Sequence, residues 1–138
     1  MPTSTWRTVA TVTAGENADD QVFTLGLAES ADGSGGHLIV QLSLQPPTAQ
    51  DAATGMDTYC VMDDEGGVHY GGISHVELSD SRLILRFTED AAEELSVEDG
   101  ELALDLDLDA EAVGRLRDGL RRTLTYGNPD QQPTLAGL

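Results

Sequence analysis

Cys60 and three histidines, His37, His69 and His75, are the side chains from which a thiol–imidazole nucleophile could be assembled. That chemistry needs the thiolate and an imidazole within hydrogen-bond reach, with a helix N-terminus or a cation lowering the thiol pKa. Cys60 instead falls in an extended stretch between Thr58 and Met62, which predicts a partly buried structural thiol. One cysteine and three scattered histidines also lack the ligand spacing of a zinc site. His75-Val76-Glu77 matches the His-x-Glu half of a zinc deaminase, but the Pro-Cys-x-x-Cys half is missing. Asp105-Leu106-Asp107-Leu108-Asp109 opens like a calcium loop. Its sixth position is then Ala110 where Gly is required, and its twelfth is Leu116 where a bidentate Glu is required. The pairs Gly35-Gly36, Gly66-Gly67 and Gly71-Gly72 do not open a helix carrying a phosphate-binding Lys. No enzyme's catalytic set, no cofactor and no metal is therefore expected. The residual catalytic alternative is a small ligand-binding or hydrolase domain using Cys60 with a nearby His.

Charge points toward a macromolecular partner. The chain of 138 residues carries 25 acidic and 7 basic residues, for a formal net charge of -18. Every basic residue is Arg. Such a surface repels nucleic-acid phosphates and anionic lipid headgroups and attracts basic protein surfaces. The same charge also serves solubility alone. Neither a nucleic-acid nor a membrane partner is expected. The segment Met1–Arg7 has no apolar signal-peptide core and no run reaches the length of a membrane span, so the expected location is the cytoplasm. A single cysteine rules out an intramolecular disulfide.

The elements that would position a site follow from hydrophobic periodicity. Aromatic residues are only 4% of the chain, so the core must be aliphatic. Alternation predicts strands over 7–14, 21–29, 37–45, 56–63, 68–70, 73–78, 82–88 and 100–108. Phe23, Leu25 and Leu27 share one face, as do Leu38, Val40, Leu42 and Leu44. The acidic turn Asp64-Glu65-Gly66-Gly67 reads as a hairpin, and Gly71-Gly72 as a bulge or the close approach of another backbone. A short helical turn is expected over 89–95. Asp109 then caps a final helix running to about Tyr126, with Val113, Leu116, Leu120 and Leu124 as its apolar stripe. These elements imply one α+β domain over 1–126, a mostly antiparallel curved sheet with the C-terminal helix packed on one face, followed by a mobile tail over 127–138.

Two of the three tyrosines, Tyr59 and Tyr70, fall across the central hairpin beside glycines. Tyrosine is favoured at interfaces because it offers area at low entropic cost, although a core-capping role explains it equally. At this segment the chain resembles the immunity protein 10 family of bacterial polymorphic toxin systems. The resemblance rests on His37-Leu38-Ile39-Val40-Gln41, Gln50-Asp51, Gly55-Met56-Asp57-Thr58-Tyr59 and Tyr70-Gly71-Gly72. The Leu-rich acidic strand and Arg-rich helix that close the chain extend it, so that it covers roughly 22–124. It implies an α+β immunity protein that binds and neutralises a cognate toxin domain, for which a basic nuclease is a sensible target. If the chain is such an inhibitor, the tyrosine-bearing hairpin and its neighbours are the expected partner contacts, Asp57, Tyr59, Asp63, Asp64, Glu65, His69, Tyr70, Gly71 and Gly72, with the acidic cluster Asp63-Asp64-Glu65 steering association. A third possibility is a scaffold subunit that pairs an exposed sheet edge with its own copy. Oligomeric state is left open by the sequence.

Overall fold

A computed structural model describes residues 8–19, 21–30, 35–45, 48–64, 66–95, 97, 100–127 and 131–138. The strands are β1 (Thr8–Val9), β2 (Thr11–Asn17), β3 (Val22–Ala28), β4 (His37–Ser43), β5 (Cys60–Asp63), β6 (Val68–Tyr70), β7 (Ile73–Leu78), β8 (Arg82–Phe87), β9 (Glu101–Leu106) and β10 (Thr134–Ala136). Three helices join them: α1 (Ala49–Thr54), α2 (Glu89–Glu94) and α3 (Ala110–Leu124). The class is α+β and mostly antiparallel. The strands divide between two five-stranded sheets, in the orders β1-β9-β8-β7-β10 and β2-β3-β4-β5-β6. The division begins at Ala10. β1 pairs in parallel with β9, whereas β2 pairs antiparallel with β3. One continuous hydrophobic stretch thus feeds both sheets.

Period-two patterning sets the inner face of the second sheet. Phe23 lies opposite Leu42, Leu25 opposite Val40 and Leu27 opposite Leu38, and all six are buried. Helix α3 lies across β2 and β3 and buries Val113, Leu116, Leu120 and Leu124, the stripe read from the sequence. Asp109 caps it, its Oδ1 accepting from the Ala112 N–H at 2.8 Å. The other sheet contributes Val76, Leu78, Leu83, Leu85 and Leu104 to the same core cluster. The Leu-rich strand is less buried than its pattern suggests. Only Leu104 is fully enclosed, while Leu102, Leu106 and Leu108 pack at the margin.

The C-terminal segment departs from the expected mobile tail. β10 pairs in parallel with β7, with Leu135 beside Val76. Just before it, the Gln131 carbonyl accepts a hydrogen bond from the buried Tyr59 hydroxyl at 3.0 Å. Low hydrophobicity hid this strand, because a parallel edge strand takes its place from backbone pairing as much as from side-chain burial. Gly127 guides the chain there. Its φ is 77°, and a Cβ would stand 2.0 Å from the Asp57 carbonyl oxygen, so no other residue fits without moving the backbone. Gly72 is a point of close approach, to side chains rather than to the backbone that was expected. Its φ is 92°, and a Cβ would come within 2.5 Å of the Ala91 Cβ on α2. The ladder between β7 and β8 shifts register immediately afterwards, between Ile73 and His75.

Candidate partner-binding surface

Strand parity decides which residues of the central hairpin can meet a partner. Cys60 stands opposite Tyr70 and Val61 opposite His69. Successive side chains point to opposite faces. Cys60 and Tyr70 therefore share the outer face with Met62 and Val68, whereas Tyr59, Val61 and His69 turn inward. This parity separates Cys60 from His69. His37 shares the outer face with Cys60 but lies four residues along β4 from Gln41, the residue opposite Cys60, roughly 13 Å away, and His75 belongs to the other sheet. The His69 Nδ1 instead lies 3.4 Å from the Glu94 Oε1 on α2, and the His75 Nε2 lies 3.0 Å from the Glu77 Oε1. The Cys60 thiol packs against the Tyr70 hydroxyl. Burial pushes its pKa up, and hydrogen bonding to Tyr70 only partly opposes the rise. A nucleophile needs the opposite shift. Alkylation of Cys60 by iodoacetamide at pH 8 should accordingly run several-fold slower than that of a free cysteine peptide, with the rate still climbing at pH 9. A rate equal to the peptide's would contradict this environment.

Tyr59, expected at the contact surface, is a core residue with 0% exposure. Its hydroxyl accepts from the Ile73 N–H at 3.0 Å and donates to the Gln131 carbonyl, tying β5 to β7 and to the C-terminal segment. Burial pushes its pKa up to about 12, with the hydrogen bond to the Ile73 backbone acting in the opposite direction. Gly71 and Gly72 are also buried. The Gly71 N–H donates to the Tyr59 carbonyl at 2.8 Å, so this pair is scaffold beneath the surface. Asp63 is half-buried, and its Oδ1 accepts from the Gly67 N–H at 2.7 Å, closing the β5–β6 turn. Asp64 is exposed on that turn, Asp57 is half-exposed, and Glu65 lies outside the described residues.

Tyr70 remains at the surface, and the structure adds neighbours that local sequence did not suggest. The exposed large hydrophobic side chains among the described residues are Met56 at 47%, Val68 at 44% and Tyr70 at 39%. All three belong to this side of the molecule. Here Asp51 of α1 and Tyr126 beyond α3 join residues of β4 and β5 around a cavity of about 230 Å³. Its walls include Asp51, Met56, Thr58, Cys60, Tyr70 and Tyr126. A capping box fixes α1: the Thr48 Oγ1 accepts from the Asp51 N–H and the Asp51 Oδ2 accepts from the Thr48 N–H. Gly55, at φ 74°, ends the helix and turns Met56 toward the cavity. Burial pushes the Tyr70 hydroxyl pKa up, reinforced by Cys60 and then Asp51. Burial likewise raises that of Tyr126, with Asp51 and Asp57 adding to the rise. The carboxylate field therefore reaches both tyrosines.

Thr58 is the anomaly of this wall. It is 4% exposed, and its Oγ1 is buried without a hydrogen-bond partner among the described residues. A buried unpaired hydroxyl costs about 1–3 kcal/mol relative to a paired one. Thr58→Val removes the hydroxyl at nearly constant shape, so it should leave stability unchanged or raise it by up to about 1 kcal/mol. Urea denaturation measures the change. A loss above about 1 kcal/mol would show that the hydroxyl is satisfied in solution.

Among the described residues no cluster of His, Cys, Asp and Glu is arranged to hold a metal ion, and no helix is long and apolar enough to cross a membrane. No curated protein and no solved structure matches the chain. The family model for immunity protein 10 matches residues 8–114, spanning β1 through β9 and the start of α3, and the chain therefore belongs to the immunity protein 10 family.

Proposed function

We propose that the chain neutralises a cognate toxin domain by direct contact, using the outer face of the second sheet where β5, β6 and α1 meet. Family membership supports the toxin-neutralising role. The observation that carries the location is the convergence of Met56, Val68 and Tyr70, the exposed large hydrophobic side chains, on one side of the molecule. Interface cores favour aromatic residues and Met. β6 is also the edge strand of its sheet, so a partner can meet backbone and side chains together. Tyr59, Gly71, Gly72 and His69 then support the surface from beneath, while Tyr70, Asp57 and Asp64 contribute to it directly.

The net charge of -18 favours a basic toxin. A basic nuclease domain is the class best suited to it, since acidic side chains complement a phosphate-binding groove. Neutralisation takes place in the cytoplasm of the producing cell and requires no turnover, cofactor, nucleic acid or membrane. Exposed carboxylates act mainly on encounter. The pair Asp57→Asn and Asp64→Asn should slow association several-fold at low salt while changing dissociation little, with the difference shrinking as salt rises. Surface plasmon resonance across a salt series reads both rates. An unchanged association rate at low salt would sink the steering role.

The test of the function is co-expression with a candidate toxin domain, taken from the C-terminus of any large secreted protein encoded beside this chain. A stable complex together with rescued growth is the expected result. Neither complex nor rescue, against a domain shown to be toxic alone, would overturn that pairing.

A further inference from the structure

The cavity beside Tyr70 has a chemistry more specific than an apolar contact. Its volume of about 230 Å³ lies below the roughly 300–1,000 Å³ of small-molecule pockets, and suits one long side chain. The polar groups on its walls are unequally committed. The Tyr126 hydroxyl donates to the Gln45 carbonyl at 2.9 Å, and the Tyr70 hydroxyl packs against the Cys60 thiol. One Asp51 oxygen, Oδ2, holds the Thr48 N–H at 2.9 Å. Thr58 is the exception, more than nine-tenths buried with its Oγ1 unpartnered. The site therefore combines an anionic carboxylate, two tyrosine rings, the Met56 thioether and a buried hydroxyl lacking a donor.

We propose that this cavity is the anchor site for an arginine side chain presented by the neutralised toxin domain. The inference rests on the toxin-binding reading above and deepens it. A guanidinium is planar and permanently charged. It stacks on aromatic faces and carries five donors in a fixed fork. It can thus pair with Asp51 and stack on a tyrosine of the wall, and its forked N–H groups are donors of the kind that the Thr58 hydroxyl lacks. A lysine ammonium meets the charge but is strongly hydrated and lacks the planar face. Seating one such anchor residue is a common way for an interface to gain affinity. Partner selection follows from the same groups, because a toxin without an arginine at this point leaves Thr58 unpartnered and the Asp51 charge without a counterion.

The test uses the free, full-length protein, so it is independent of whether the correct toxin is in hand. The ¹⁵N-labelled chain is titrated with 1-ethylguanidinium, and separately with n-butylammonium and neutral ethylurea. Saturable shifts centred on Asp51, Thr58, Cys60 and Tyr70 are expected with ethylguanidinium, weaker ones with butylammonium, and none with ethylurea at the same concentrations. Asp51→Asn should weaken the guanidinium affinity by roughly tenfold, and Thr58→Val by a few-fold. Thr58→Val keeps the inference testable if the Asp51 change disturbs α1. Shifts that fail to saturate, equal binding of ethylurea, tighter binding of butylammonium, or affinity unchanged in both variants would each overturn the arginine anchor. Loss of the anchor in this titration with growth rescue intact refutes the pocket inference alone. Loss of rescue refutes neutralisation, which the titration does not measure.

Discussion

Tyr59→Ala should remove about 3–5 kcal/mol of folding stability, the usual cost of emptying a buried aromatic site. Tyr59 is fully buried, and its hydroxyl bridges the Ile73 backbone and the Gln131 carbonyl. Truncation leaves both a cavity and unpaired backbone groups. Because domains of this size are stable by only about 5–15 kcal/mol, a large share of the protein would be unfolded or aggregated on expression. Tyr59→Phe separates the two contributions. It keeps the ring and should cost about 1–3 kcal/mol through the unpaired Ile73 N–H and Gln131 carbonyl. The pH dependence gives a second signature. The unfolded tyrosine releases its proton near its model value of 10.0, whereas the folded one holds it to about 12. The contribution of neutral Tyr59 is therefore complete below pH 10 and is lost as pH rises toward 12, by roughly 1.4 kcal/mol per unit. The stability gap between wild type and Tyr59→Phe should narrow across that window. Chemical denaturation at pH 8, 10 and 11 measures it. A constant gap would mean that the phenol is hydrated in the folded protein.

Tyr70→Ala should do the reverse. Tyr70 is 39% exposed on the edge strand β6, so its truncation should change stability by no more than about 1 kcal/mol. Affinity for the toxin domain should fall by roughly 30-fold or more, the scale of an aromatic hot spot. Most of the loss should appear as faster dissociation. Calorimetry on the complex and thermal melting on the free protein separate binding from folding. A variant that binds as tightly as wild type would remove Tyr70 from the interface. One that loses affinity only in proportion to its fraction unfolded would place Tyr70 with Tyr59 as a structural residue.

The contrast between these tyrosines marks where sequence ceases to be informative. Period-two alternation placed β3 and β4 because one face of each is apolar, and the helical stripe ending in Leu124 placed α3. Around Cys60 the signal fails. Tyr59, Val61 and Asp63 form one face, and Thr58, Cys60 and Met62 the other, each mixing polar and apolar residues. Composition therefore cannot say which face is inside. The answer comes from pairing with β4, where Val61 meets Val40 in the core and Cys60 meets Gln41 outside. The parity of the β5–β6 hairpin would have separated Cys60 from His69 had its register been known. The partition into two sheets was hidden in Ala10, which carries no turn signature. The cavity was hidden too. It needs α1, β4, β5 and the residues after α3 to meet, a long-range arrangement with no local pattern. Asp51 and Thr58 belonged to the resembling blocks, yet nothing in either block says that they line one cavity. Asp63 was expected at the contact surface from its place in an acidic cluster, and its hydrogen bond to Gly67 adds a role in the turn that the cluster did not reveal.

Hydrogen–deuterium exchange on the purified complex with the toxin domain tests the location of binding most directly. The expected result is new protection in peptides covering Val68–Tyr70 and the Asp51–Thr58 segment, with exchange in α3 and β8 left as in the free protein. Protection confined to α3 or to the sheet containing β8, with none around Tyr70, would contradict the proposed surface.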